Sequence, residues 1–95
     1  MSKDHYFTIC GEKFLWRYTQ LKGNANGWTY TPDPRSPLMT RKILVHSGLS
    51  KRAKLEVEVH EFIHAANPNL SEDAVSQQGR DLARILWALG YRQLS

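Results

Sequence analysis

The chain has one cysteine, Cys10, among its 95 residues. An intramolecular disulfide is therefore excluded, and so is a zinc site built on paired thiolates, which leaves histidine and carboxylate to hold any metal. Nowhere do apolar residues run together for a membrane's thickness, so no membrane-spanning helix is expected. The opening MSKDHYFTIC has no charged segment followed by a long apolar one, which argues against a secretory leader and for a soluble, cytoplasmic protein. Internal repeats and low-complexity tracts are also lacking, which removes solenoids and tails from consideration. Acidic residues are in the minority, nine against thirteen basic ones, for a net charge of +4 and a pI near 9.5. That balance favours acidic partners such as nucleic acid but specifies none. With 41% hydrophobic content, the chain can build one modest core, so a single domain over residues 1–95 is expected.

What is present changes character near residue 50. The first half reads as sheet. YFTI (6–9) and KFLWRYTQL (13–21) are rich in aromatic and β-branched residues and flank Cys10, Gly11 and Glu12, which predicts a hairpin. Phe14, Trp16 and Tyr18 alternate along one face of the second strand. KGNANG (22–27) is turn chemistry, WTYT (28–31) a short strand, and PDPRSP (32–37) a loop held by three prolines. RKILVH (41–46) is an apolar strand that ends at Ser47 and Gly48.

The second half reads as two helices, although Leu55, Val57 and Val59 alternate with Glu56, Glu58 and His60 as they would in a strand. Two signals decide for helix. Ser50 is a suitable N-cap, and AANPN (65–69) is a stop in which Asn67 ends the helix and Pro68 cannot continue it. Helix 1 is placed at about 51–66, with Leu55, Val59, Phe62, Ile63 and Ala66 as its stripe. Ser71 caps helix 2 at about 72–89, with Glu72 and Asp73 in its first turn and Gly90 after its end. The fold expected is α+β, a small antiparallel twisted sheet packed on an antiparallel helix pair.

His60, Glu61 and His64 form the pattern H-E-x-x-H. On a helix, positions i and i+4 lie on one face with Cβ atoms roughly 6 Å apart, so both imidazoles reach one ion. On a strand they would stand roughly 13 Å apart. Val57, one turn earlier, gives this face an apolar surround. Catalytic zinc takes three protein ligands and keeps a position for water. A hairpin centred near Pro68 sets His64 opposite Glu72 and His60 opposite Ser76, which makes Glu72 the first choice as third ligand. Asp73 ranks behind it, about 100° away around the helix, and Asp81 is too far along. Glu61 is then the acid beside the open position, a general base for peptide or amide hydrolysis by a zinc-activated water.

HEFIH (60–64) with a glutamate early in the following helix resembles the gluzincin type of zinc metallopeptidase, and the small size is similar to that of the minimal gluzincins. The stretch 49–92, with H-E-x-x-H and the closing L-G-Y-R, also resembles small phage and bacterial proteins of unassigned function. The resemblance covers about half the chain, and only the H-E-x-x-H part is specific for chemistry. It implies a small twisted sheet, an active-site helix and a glutamate helix, with zinc on His60, His64 and Glu72. It further implies that the strand before the active-site helix, here RKILVH, lines the cleft and pairs with extended substrate, and a phage origin would place the protein in a host cytoplasm. The gap from His64 to Glu72 is shorter than in larger gluzincins.

His46, Tyr91 and Arg80 are candidates to stabilise an oxyanion. Trp16, Trp28 and Trp87 are expected to pack rather than to stack on bases. The leading expectation is a zinc-dependent peptidase acting on peptide or protein. The alternative is a non-catalytic binding or inhibitory module that zinc braces, acting on a host protein or nucleic acid. An 11.0 kDa enzyme has little surface for specificity, so a homodimer or another partner chain is also expected.

Overall fold

The chain first reverses at Cys10 and Gly11, whose φ angles of 50° and 81° both lie in the left-handed region that a two-residue hairpin turn of matching twist requires. The turn joins β1 (Asp4–Ile9) to β2 (Glu12–Thr19) in antiparallel register, with Phe7 opposite Phe14. The computed structural model describes residues 4–31 and 41–92; the three-proline segment 32–37, expected as a loop, lies outside them. β3 (Gly27–Tyr30) and β4 (Lys42–His46) complete a four-stranded sheet of order β1-β2-β4-β3.

The α+β class is as expected, a small sheet with two helices. The sheet is mixed, however, rather than wholly antiparallel. β4 lies between β2 and β3, parallel to β2 and antiparallel to β3. Ile43, Leu44 and Val45 are apolar without interruption, as suits an interior strand, and Ile43 and Val45 are fully buried. RKILVH therefore cannot offer an edge to a substrate, and the edge strand beside the helices is β3.

The helices do not lie side by side on the sheet. α1 (Lys51–Ala66) packs on β3 and β4, and α2 (Glu72–Ala88) packs on α1. This makes two cores. Ile9, Phe14, Ile43, Val45 and Ala65 join sheet to α1, while Val59, Ile63, Val75 and Ala83 join α1 to α2. Each fully buried side chain among Phe14, Ile43, Val45 and Val75 contributes about 1.5–3 kcal/mol of burial. The layering explains the strand-like alternation of KLEVEVHE. Leu55, Val59 and Ile63 are one stripe at intervals of four and face α2, while Val57, Glu61 and Ala65 are a second and face the sheet. Two interleaved i, i+4 stripes on opposite sides of a helix produce a period of two.

The caps form as read. The Ser50 and Ser71 hydroxyls accept from the backbone N–H groups of Ala53 and Ala74, each worth about 1 kcal/mol. Asn67 closes α1 through Ile63, and Gly90, at φ +90°, follows the cap Leu89 of α2.

On the helix side of the sheet the Tyr18 hydroxyl donates to the Glu58 carboxylate of α1, and the His5 ring meets Tyr18 edge-on at 6.3 Å. Burial, and then the bond to Glu58, push the Tyr18 phenol up from 10.0 to about 12. The folded chain thus favours the neutral phenol. Its contribution to stability is full below pH 10 and is lost as pH rises through about 12. Spectrophotometric titration should find one tyrosine ionising near pH 12, and that step should vanish in Tyr18→Phe. A titration with no component near pH 12 would contradict the contact.

Candidate metal centre

Helical spacing places His60 and His64 on one face of α1, with ring centroids 4.9 Å apart. The turn of residues 67–71 returns the chain so that Glu72, the first residue of α2, meets both rings. Its Oε1 lies 3.3 Å from His60 Nε2 and its Oε2 lies 2.8 Å from His64 Nε2. One donor atom from each of the three residues falls within 4.8 Å of the other two, so this group could hold a metal ion. Ligands on one tetrahedral ion at 2.0–2.2 Å stand about 3.4 Å apart, so small side-chain adjustments suffice. The two imidazoles are about a quarter exposed and Glu72 is two-thirds exposed, which leaves the ligand cluster open to solvent on one side.

The turn joins the helices at the expected residues, Ala66 and Glu72, and His64 meets Glu72 as expected. Gly79, however, rather than Ser76, faces His60. A Cβ on Gly79 would stand 3.3 Å from the His60 Cα, so the glycine lets the two helix backbones approach beneath the first histidine. Asp73 and Asp81 are not part of the converging group. Asp81 instead accepts from Gln77 and pairs with Arg84.

Glu61 is the only charged residue that is buried among the described residues, at 7% exposure. It points away from α2 and under β3. The Thr29 hydroxyl donates to its Oε1 at 2.8 Å, and its Oε2 lies 4.0 Å from His60 Nε2, on the side of the ligand cluster. Such burial costs several kcal/mol unless the carboxylate is hydrogen-bonded, and Thr29 supplies the bond. Gly27 makes room: a Cβ there would fall 2.7 Å from Val57 Cγ1 and 3.0 Å from Glu61 Oε2. Neither Gly27 nor Thr29 is identifiable from the sequence as part of the site. Gly27 reads there as the end of a turn, and the pairing of Thr29 with Glu61 spans more than thirty residues.

These groups line a cleft of about 380 Å³ whose walls are Gly27, Trp28, Thr29 and Thr31 on one side and His60, Glu61, His64, Pro68 and Glu72 on the other. None of the three oxyanion candidates lines it. His46 Nδ1 accepts from the Leu21 N–H and anchors the β2–β3 turn. Arg80 donates to Gln77, and Tyr91 is 65% exposed beyond the end of α2. Among the tryptophans, Trp16 packs against the sheet–α1 core, and Trp87 lies under the Arg92 guanidinium at 3.8 Å. Trp28 does not pack as expected, being 48% exposed on the edge strand.

No family model matches this chain, and no curated protein or solved structure matches it. No helix among the described residues is long and apolar enough to cross a membrane.

Gly27→Ala should lower stability by about 1–3 kcal/mol in a denaturant titration, the cost of overpacking β3 against α1. Stability equal to the parent protein would show that the strand and helix are not in close contact at this point.

Proposed function

We propose that this protein is a zinc-dependent metallopeptidase of the minimal gluzincin type, in which His60, His64 and Glu72 hold the ion and Glu61 is the general base. The observation that carries this reading is the convergence of two imidazoles and one carboxylate beside a buried glutamate, at the wall of an open cleft. Two imidazole nitrogens and one carboxylate oxygen suit zinc and leave room for a water and a substrate oxygen. A bound zinc would supply polarisation of the scissile carbonyl and a water acidic enough to lose its proton near neutrality.

The chain's own residues supply the proton path and the substrate track. Glu61, with Oε1 held by Thr29, takes the proton of the attacking water on Oε2 and delivers it to the departing amine nitrogen. The hydrogen bond from Thr29 and the packing of Val57 and Gly27 against the side chain fix its position, so little reorganisation is needed when the proton moves. β3 runs along the cleft as an edge strand with no strand paired to its outer side among the described residues. An extended peptide can add there by main-chain hydrogen bonds, presenting its backbone to Glu61.

Incubation of the zinc-loaded protein with a diverse peptide library should give cleavage that a zinc chelator stops. Glu61→Gln should reduce cleavage at least a hundredfold while retaining the metal. Equal cleavage by the variant would remove Glu61 as the base. Absence of cleavage by the loaded parent protein would favour the non-catalytic module, in which the ion only braces the helix turn.

A further inference from the structure

We propose that the sheet face opposite the helices binds single-stranded nucleic acid, as a site that meets the metal cleft only along β3, at Trp28. The cross-strand register defines two rows on that face. Tyr6, Leu15, Lys42 and Tyr30 stand side by side across β1, β2, β4 and β3, and the next row is Asp4, Arg17, Leu44 and Trp28. No helix covers them, since α1 packs on the other side of β3 and β4. Tyr6 is 60% exposed, Trp28 48% and Tyr30 36%, whereas Leu15 and Leu44 lie lower between them. Three aromatic rings thus rise at the two edges of the face, and a cation stands beside two of them. Lys13 Nζ lies 4.9 Å from the Tyr6 ring centroid and Lys42 Nζ lies 5.2 Å from that of Tyr30.

Charge selects the occupant. Among the described residues the strands and their turns carry five cations against two carboxylates, whereas the two helices carry five against six. Both strand carboxylates are already engaged, Asp4 by a two-pronged contact with Arg17 and Glu12 by Arg41 at 3.3 Å. On the face itself Lys13, Arg17 and Lys42 stand against Asp4, so it offers ring surfaces and net positive charge together, which a polyanion with exposed planar bases satisfies on both counts. A duplex hides the faces of its bases and leaves the rings without partners. Three strand spacings put Tyr6 and Tyr30 about 14 Å apart, a span for two or three nucleotides on a four-stranded sheet. Trp28 and Tyr30, with centroids 6.2 Å apart, form the stacking pair at one end.

The test uses the whole chain and a fluorescently labelled oligothymidylate of about twelve nucleotides, followed by anisotropy. Binding should be tighter than to a duplex of the same length. The slope of log affinity against log salt should be about −1.4 to −2, as two or three neutralised phosphates give. Tyr6→Ala and Tyr30→Ala each remove a ring from outside the cores and should weaken binding roughly five- to hundredfold, with circular dichroism unchanged. Tyr6→Phe should bind as the parent does. Lys42→Ala should lower the salt slope by about 0.7. Glu61→Gln should bind equally well, which separates this site from the peptidase reading. Equal affinity for duplex, or no loss in either ring variant, would overturn the proposal. A dimer that Tyr6→Ala dissociates, with no oligonucleotide bound, would assign the face to a second copy of the chain instead.

Discussion

The candidate centre depends on a reversal of the chain within five residues, 67–71, tight enough for the first carboxylate of α2 to reach two imidazoles of α1. Helical spacing alone brings His60 and His64 together. A third donor requires the partner helix to start at the level where the first one ends. Asn67 stops α1 by turning back to Ile63, Ser71 starts α2, and Leu70 packs between the helices to hold the corner. Gly79 then allows the backbones to close beneath His60. Glu72 occupies a helix N-terminus, where its negative charge is favoured.

The second constraint is that α1 is buried on two opposite sides. One stripe faces α2 and the other faces the sheet, and the face of His60 and His64, which could hold a metal ion, lies between them at the open end. Glu61 belongs to the sheet stripe, which is why it is buried although its neighbours in sequence, His60 and Phe62, are not. A carboxylate there is tolerated because β3 brings Thr29 to it and because Gly27 has no side chain to exclude it. The same short strand therefore serves two surfaces. Gly27 and Thr29 face Glu61, and Trp28 and Tyr30 face the opposite side.

The elements themselves were legible in the sequence because their signals are local. The serine caps, Asn67 before Pro68, Gly90 after α2 and the Cys10-Gly11 turn all act within a few residues, and the structure uses each of them. The grouping of His60, His64 and Glu72 followed from helical spacing and a short turn, both local quantities as well. Strand order was not legible, because alternation and apolar content identify a strand without naming its neighbours. RKILVH became an interior strand and the plainer GWTY became the edge. For the same reason Gly27 and Thr29 stayed hidden as partners of Glu61, and Trp28 gave no sign of its exposure. The alternation in KLEVEVHE was misleading only when a helix is assumed to bury a single stripe.

Metal content tests the central claim most directly. Elemental analysis of the protein loaded with zinc and then exhaustively dialysed should find one zinc per chain, and X-ray absorption should show nitrogen and oxygen neighbours at about 2.0–2.2 Å with no sulfur. His64→Ala and Glu72→Ala should each lose the ion under the same dialysis. A parent protein that retains no zinc, or variants that retain it as the parent does, would contradict the account.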